Sequence, residues 1–336
     1  MFHLSETGIG NHPRLLALAA VLIALTLFPI LEQSRNNNAG KAAADEYKIS
    51  VDVGMVLLPV VVTDRHGQEV SGLGQESFQV FEDGRPQQIA LFESEDVPVT
   101  VGLVIDNSGS MAHKRPDVIA AAEAFARSSN PHDQMFEVSF NEKVIMGLPK
   151  DVPFTSDVEQ IRDAIVRTPA SGNTALYDGL AAALDHIKTG TTNRKALILI
   201  SDGGDNASHL HFTDVLKRAE ASNVEIYTLG VFDEMFVSED MNLGALKRLA
   251  NVTGGKAYTP QSPAEITGIC KQIASDLRHQ YTIGYQPPNP NAGVYHAVRV
   301  IASVPANGKL RVSTRSGYIM PSEPQTLPPI PSTKAS

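Results

Sequence analysis

The chain has 336 residues, 28 lysines and arginines against 37 aspartates and glutamates, a formal net charge of -9 and a single cysteine. That length allows two domains and a substantial core, and the lack of a strong basic block argues against nucleic-acid binding through phosphates. One cysteine excludes an internal disulfide framework and a multi-cysteine zinc site.

The first segment, residues 1–35, stands apart from the fold. "LLALAAVLIALTLFPIL", residues 15–31, is a continuous apolar run preceded by Arg14. It reads as an export signal or a membrane anchor. No small-residue cleavage pattern follows it directly, and a cut after Ala44 lies far downstream. An uncleaved anchor holding the bulk of the chain outside the cytoplasm, in the periplasm or at the cell surface, is the favoured reading. Residues 36–48 are polar, rich in Asn and Ala, and read as a linker.

Residues 49–96 change to strand grammar. "ISVDVGMVLLPVVVTD" is rich in β-branched residues, and a turn is expected around Gly67. "ESFQVFEDGRPQQIALFE" predicts a hairpin with strands Phe78 to Glu82 and Gln87 to Glu93, joined by the Asp83–Gly84 turn.

Residues 97–280 alternate strands and helices. Strands are expected at Thr100 to Ile105, Met135 to Phe140, Lys195 to Ser201, "VEIYTLGV" and Lys256 to Tyr258, with an added edge strand in "NEKVIMGL". Helices are expected at Pro116 to Ser128, Ser156 to Val166, Ala175 to Ile187, Phe212 to Ala221, Asn242 to Ala250 and Pro263 to Leu277. This alternation means an α/β fold: a doubly wound, mostly parallel sheet with helices on both faces. Cys270 falls in the apolar pattern of the last helix and reads as a buried small hydrophobe.

Residues 281–320 return to strands in "QYTIGY", "YHAVRVIASV" and "KLRVSTRSGY". With no helices to cover them, they are expected to pack with residues 49–96 into one small β-sandwich-like domain, the α/β domain being inserted between. Residues 321–336 are proline-rich and read as a disordered tail.

The chemistry concentrates where strands end. "VGLVIDNSGSM" closes an apolar strand with Asp106, Ser108 and Ser110, three side-chain oxygens at alternate positions. Alone, such a loop can cap a helix, bind a phosphate or hold a hard cation. "SGNTALYDG" brings Thr174 to a loop before a helix, and "ISDGGDN" brings Asp202 to the end of the central strand. In open α/β sheets ligands bind outside the carboxyl ends of strands, where all three loops converge. Any one of these residues is more simply a cap or a turn residue; five on three such loops are not. The donors are oxygen only, which suits Mg²⁺, Mn²⁺ or Ca²⁺ and suits Zn²⁺ badly.

This pattern resembles a von Willebrand factor A-type domain over Val97 to His279. Asp-x-Ser-x-Ser, then Thr, then Asp matches the metal-ion-dependent adhesion site of that family, on Asp106, Ser108, Ser110, Thr174 and Asp202. "TALYDGL" and "SDGGDN" are also typical of it, and the flanking β segments resemble its bacterial exported, Acidobacteria-type branch. The resemblance implies that the hydroxyls contact a divalent ion, Mg²⁺ first, and that the aspartates contact it directly or through water. It further implies an open position that takes an Asp or Glu side chain of a protein partner, with Gly109 permitting the sharp loop. An exported cell-envelope binding module for adhesion or scaffolding follows, not an enzyme. The alternatives are a metal-dependent hydrolase, for which no His or Glu motif stands on the three loops, and a structural envelope protein with a stabilising ion. Asp178 and Asp205 read as loop supports or caps, and His209 and His211 as surface residues. His66, His113, His132, His186, His279 and His296 are scattered and carry no assignment.

Overall fold

The computed structural model describes residues 55–66, 68–94, 96–231, 242–288, 293–303 and 310–320. The apolar run 15–31, the linker and the proline-rich tail lie outside the described residues. Among the described residues no helix is long and apolar enough to cross a membrane.

Five parallel strands and one antiparallel strand form the central sheet. They are β5 (Val99–Asp106), β6 (Gln134–Phe140), β7 (Val144–Met146), β8 (Arg194–Ser201), β9 (Glu225–Gly230) and β10 (Ala257–Tyr258). Their order is β10-β9-β8-β5-β6-β7, with β7 the edge strand expected from "NEKVIMGL", running antiparallel to β6. Every residue of β5 is buried, and β8 is nearly so. Continuous apolar runs are what a parallel strand covered on both faces requires. The cover comes from two helix groups. α1 (Arg115–Ser128) packs on α2 (Val158–Arg167) and on α6 (Pro263–His279). In the other group α4 (Phe212–Glu220) packs on α3 (Leu176–His186) and on α5 (Leu243–Thr253). The turn after α5 ends it at Gly254, whose φ of +88° only glycine adopts cheaply.

The remaining strands form two antiparallel sheets, ordered β13-β1-β11-β4 and β14-β12-β2-β3. They are β1 (Val56–Thr63), β2 (Phe78–Glu82), β3 (Arg85–Gln87), β4 (Leu91–Glu93), β11 (Tyr281–Tyr285), β12 (Tyr295–Ala302), β13 (Arg311–Ser313) and β14 (Gly317–Ile319). Strands from before and after the α/β lobe interleave: β1 pairs with β11, and β2 with β12. Along β12 buried and outward residues alternate, so that His296, Val298, Val300 and Ala302 point inward. The two sheets share one apolar cluster, with Leu58, Val60, Phe78, Tyr281, Ile283 and Tyr285 at its heart.

Two expected strands break. The second hairpin strand is not Gln87 to Glu93: β3 pairs with β2, then the chain crosses to the other sheet, where β4 pairs with β11. The crossing sets Phe92 against Phe78 and Tyr281, at ring-centroid distances of 5.5 and 5.9 Å. Likewise "KLRVSTRSGY" splits into β13 and β14, in opposite sheets. At that second crossing Arg315 leaves the sandwich and donates to the carbonyls of Ser222 (3.1 Å) and Glu220 (2.7 Å) at the end of α4. Arg194, at the foot of β8, reaches back to Thr282 Oγ1 of β11 at 2.6 Å. The lobes are therefore joined by buried guanidinium groups that donate across the junction.

Candidate metal centre

The carboxyl ends of β5 and β8 are neighbours in the sheet, paired up to Ile105 and Ile200. The residues that follow, Asp106 and Asp202, are thereby brought to one rim. Asp106 is buried, and both its oxygens are engaged: Oδ1 accepts from the Ser108 N–H at 2.9 Å and Oδ2 from the Ser201 hydroxyl at 2.6 Å. Ser108 Oγ lies 3.1 Å from Ser110 Oγ, and Ser110 Oγ donates to Asp202 Oδ2 at 2.6 Å. The other Asp202 oxygen accepts from the Gly204 N–H at 3.1 Å.

Thr174 arrives from the loop before α3. Its N–H donates to Asn206 Oδ1 at 2.8 Å, and its carbonyl accepts from the N–H groups of Asn206 and Ala207 at 2.9 and 3.0 Å. The two loops are thus stitched together by their backbones. Ser108, Ser110, Thr174 and Asp202 line one cavity of about 170 Å³, together with Asn173 and Asn206. Asp106 is not among the lining residues and lies beneath Ser108. A larger recess of about 640 Å³ lies elsewhere, on the sandwich around Phe78, Phe81 and Pro86.

Gly109 does not carry the demand expected of it. Its N–H donates to the Gly172 carbonyl at 3.1 Å, and it is not one of the glycines with positive φ. On the loops around the pocket the left-handed positions are Gly172, with φ of +78°, and Gly203, with φ of +82°. At Gly203 a Cβ would also stand 3.1 Å from the Asn242 carbonyl oxygen.

A buried polar chain underlies the first loop. Arg115 donates to Asn107 Oδ1, Asn107 Nδ2 donates to Ser139 Oγ at 2.8 Å, and Ser139 Oγ donates to Glu137 Oε1 at 2.5 Å. Burial pushes the Glu137 carboxyl up to about 8, against the pull of the Ser139 bond and of Arg115, so it stays protonated at neutral pH. Asp178 and Asp205 act as loop supports. Asp178 accepts from the N–H groups of His209 and Leu210 (both 3.0 Å) and lies 2.9 Å from the exposed His209 ring. Asp205 accepts from the Tyr177 N–H at 3.2 Å and the Ser208 hydroxyl at 2.5 Å.

The sequence reading passed over Ser201, Asn206 and Asn107. Ser201 had a signal: it directly precedes Asp202 on the same strand end. Asn206 closes "SDGGDN", but its contact with Thr174 depends on two loops meeting.

The donor chemistry fits a hard cation. Two carboxylates and three hydroxyls gather with no lysine, arginine or histidine paired to either acid among the described residues. Neighbouring ligands of an octahedral Mg²⁺ at about 2.1 Å are about 3 Å apart, close to the oxygen separations at Ser108, Ser110 and Asp202. Burial pushes the Asp106 carboxyl up to about 6; the Ser108 and Ser201 bonds pull it down, and the charge of Asp202 adds to the rise.

The family model of the von Willebrand factor type A domain matches residues 100–272. An uncharacterized protein of Borreliella burgdorferi is 25% identical over 140 residues, which are 39% of this chain and 40% of that protein, so the match spans less than half of the relative's length. Among solved structures, a von Willebrand factor type A protein from Catenulispora acidiphila is 15% identical over 74% of each chain, with a TM-score of 0.49. The vWF domain of the type V pili tip protein Mfa5 from Porphyromonas gingivalis is 15% identical, covering 54% of this chain and 95% of its own, with a TM-score of 0.43. Proximal thread matrix protein 1 of the mussel byssus, with a zinc-occupied MIDAS motif, is 17% identical over 55% of this chain and 48% of its own, with a TM-score of 0.44.

Proposed function

The chain belongs to the von Willebrand factor type A domain family, and from that premise we propose that it is an exported cell-envelope binding module whose strand-end pocket holds a divalent cation and, through it, an acidic side chain of a protein partner. Domains of this family are mostly adhesion or scaffold modules and not enzymes. One observation carries the reading: Ser108, Ser110, Thr174 and Asp202, drawn from three loops, line a single small polar cavity with Asp106 beneath them.

In this reading Ser108, Ser110 and Thr174 offer neutral hydroxyls, and Asp202 offers its Oδ2 once Ser110 turns its proton away. Asp106 works from beneath, orienting the loop through the Ser108 N–H and adding negative charge. A divalent cation bound there supplies a Lewis-acidic position that recognises a carboxylate. The cavity, about 170 Å³, admits one carboxylate head and not a folded peptide, so specificity must come from the surrounding surface. Mg²⁺ is the first choice by hardness, and the zinc in the mussel relative's motif makes Zn²⁺ the comparison to run.

The test is calorimetric titration of the chelator-stripped chain with Mg²⁺, Mn²⁺ and Zn²⁺, then a pull-down from envelope extract with metal or with chelator. One Mg²⁺ per chain and Mg²⁺-dependent capture of a partner are expected, both lost in Asp106→Ala. Partner capture that persists in chelator would overturn the reading. Metal uptake that raises the melting temperature with no metal-dependent partner would leave only a structural ion.

A further inference from the structure

The sandwich carries a second group of ligand-type side chains, far in sequence from the strand-end pocket. Glu82 ends β2, Asp83 opens the hairpin turn with φ of +48°, and His296 stands on β12. The register that pairs Val298 with Glu82 brings His296 beside the turn. His296 Nδ1 lies 2.8 Å from Asp83 Oδ2 and 3.8 Å from Glu82 Oε1, and the three donor atoms lie within 4.8 Å of one another.

Each carboxylate spends one oxygen on orientation and turns the other towards the imidazole. Glu82 Oε2 accepts from the hydroxyls of Tyr285 (2.6 Å) and Tyr318 (2.9 Å), which leaves Oε1 on the His296 side. Asp83 Oδ1 accepts from the Ala297 N–H at 2.9 Å, which leaves Oδ2 there. The imidazole is held against the Tyr318 ring, with centroids 5.4 Å apart and planes at 26°. Outer hydrogen bonds that fix donor direction are what a metal site needs beyond its ligands.

Charge points the same way. The Glu82 and His296 side chains are 4% and 8% exposed, and among the described residues no lysine or arginine lies within ion-pair reach of Glu82 or Asp83. Two acids, one of them buried, thus converge with a single imidazole between them. The Asp83 side chain, 51% exposed, supplies the way in from solvent. His296 Nε2 is buried without a partner; it is equally unpaired whether Nδ1 meets a proton or a metal, and does not choose between them.

We propose that Glu82 Oε1, Asp83 Oδ2 and His296 Nδ1 form a three-ligand site for a divalent transition-metal cation of the zinc type. One imidazole with two carboxylates suits Zn²⁺ or Mn²⁺ better than Mg²⁺. Ligands of a tetrahedral Zn²⁺ at about 2.0–2.1 Å stand about 3.3 Å apart, between the two distances that His296 makes. The rival reading is a plain hydrogen bond between His296 Nδ1 and Asp83 Oδ2, which would make the group a simple His–Asp latch across the hairpin.

Calorimetric titration with Zn²⁺ separates the two, run on the full chain and on its Asp83→Asn and His296→Gln variants, each checked for an unchanged circular dichroism spectrum. Asp83→Asn is the variant that keeps the fold, because Asn accepts the left-handed conformation and retains an oxygen for the Ala297 N–H. The parent chain is expected to take up zinc at this site with micromolar affinity, and Asp83→Asn to weaken that event at least about tenfold. No zinc uptake by the parent at submillimolar concentration overturns the proposal in favour of the latch. Uptake of the same stoichiometry and affinity in Asp83→Asn overturns it too, by placing the zinc elsewhere.

Discussion

In the α/β lobe, Asp202 lines a pocket and Asp106 lies beneath it, and the partners of both are hydroxyls and backbone N–H groups; in the sandwich, Glu82 and Asp83 converge on an imidazole. Among the described residues the first cluster has no lysine, arginine or histidine paired to its acids, and in the proposed function a cation from outside balances its charge. The second has His296 between its acids, with Nδ1 2.8 Å from Asp83 Oδ2, and in the zinc proposal that nitrogen serves as a ligand. They also differ in construction. The strand-end pocket is stitched from loops, with Gly172 and Gly203 in left-handed conformations, whereas the sandwich cluster sits on two paired strands and one turn. Loops can readjust around an ion, while a strand register holds its donors in place whether or not an ion is present.

The two regions are expected to unfold as one cooperative unit, and the largest expected effect bears on that coupling. Arg315 is buried and spans the junction, donating to carbonyls of Ser222, Glu220 and Gly317. Arg315→Ala strands those acceptors and is expected to cost about 3 kcal/mol, seen in urea denaturation as one earlier transition. Two separated transitions would show that the lobes fold independently, and the clusters would then have to be compared as parts of separate units.

The next effect depends on pH and also sits at the junction. Glu225, first residue of β9, accepts from Gln280 Nε2 at 2.8 Å and from the Tyr227 hydroxyl at 3.1 Å. Burial pushes its carboxyl up from 4.5 to about 7, against the pull of those bonds and of Arg194. Below pH 4.5 the group is protonated in the folded and unfolded chain alike, and folding bears no ionisation cost. As pH rises towards 7 the unfolded chain ionises first, so stability falls; above 7 the whole penalty stays in place. Glu225→Gln is therefore expected to melt higher than the parent at pH 8, by about 3 kcal/mol in stability, and to match it near pH 4.5. An equal gain at both pH values would mean that the benefit is packing and not ionisation.

The smallest effects separate the two clusters directly. Gly203→Ala and Gly84→Ala each force a Cβ into a left-handed backbone, with φ of +82° and +78°, at a cost of about 1 kcal/mol each. Gly203→Ala is expected to weaken Mg²⁺ binding as well, because a Cβ there presses on the Asn242 carbonyl. Gly84→Ala, with open space around its Cβ, is expected to leave Mg²⁺ binding unchanged. Equal Mg²⁺ affinities in the two variants would separate the metal proposal from the loop geometry.

The α/β lobe was legible in the amino-acid sequence because its strands are buried on both faces. "KALILIS" needs no partner to announce itself, and a strand of that kind stays in one sheet along its whole length. The order of Asp106, Ser108, Ser110, Thr174 and Asp202, each at a strand end or in a loop before a helix, could be read for the same reason: strand ends in such sheets share a rim. Tertiary structure alone decided where the sandwich strands change sheets, because Arg85 to Glu93 and Arg311 to Ile319 are fit for either ladder and the partner strand settles which residues pair. It also decided that both Asp106 oxygens are taken by Ser108 and Ser201, leaving that acid beneath the pocket. And it alone joined His296 to Asp83, 213 residues away: a lone histidine in an alternating strand carries no local mark of its partners, and only the register of β2 against β12 brings its ring to the turn.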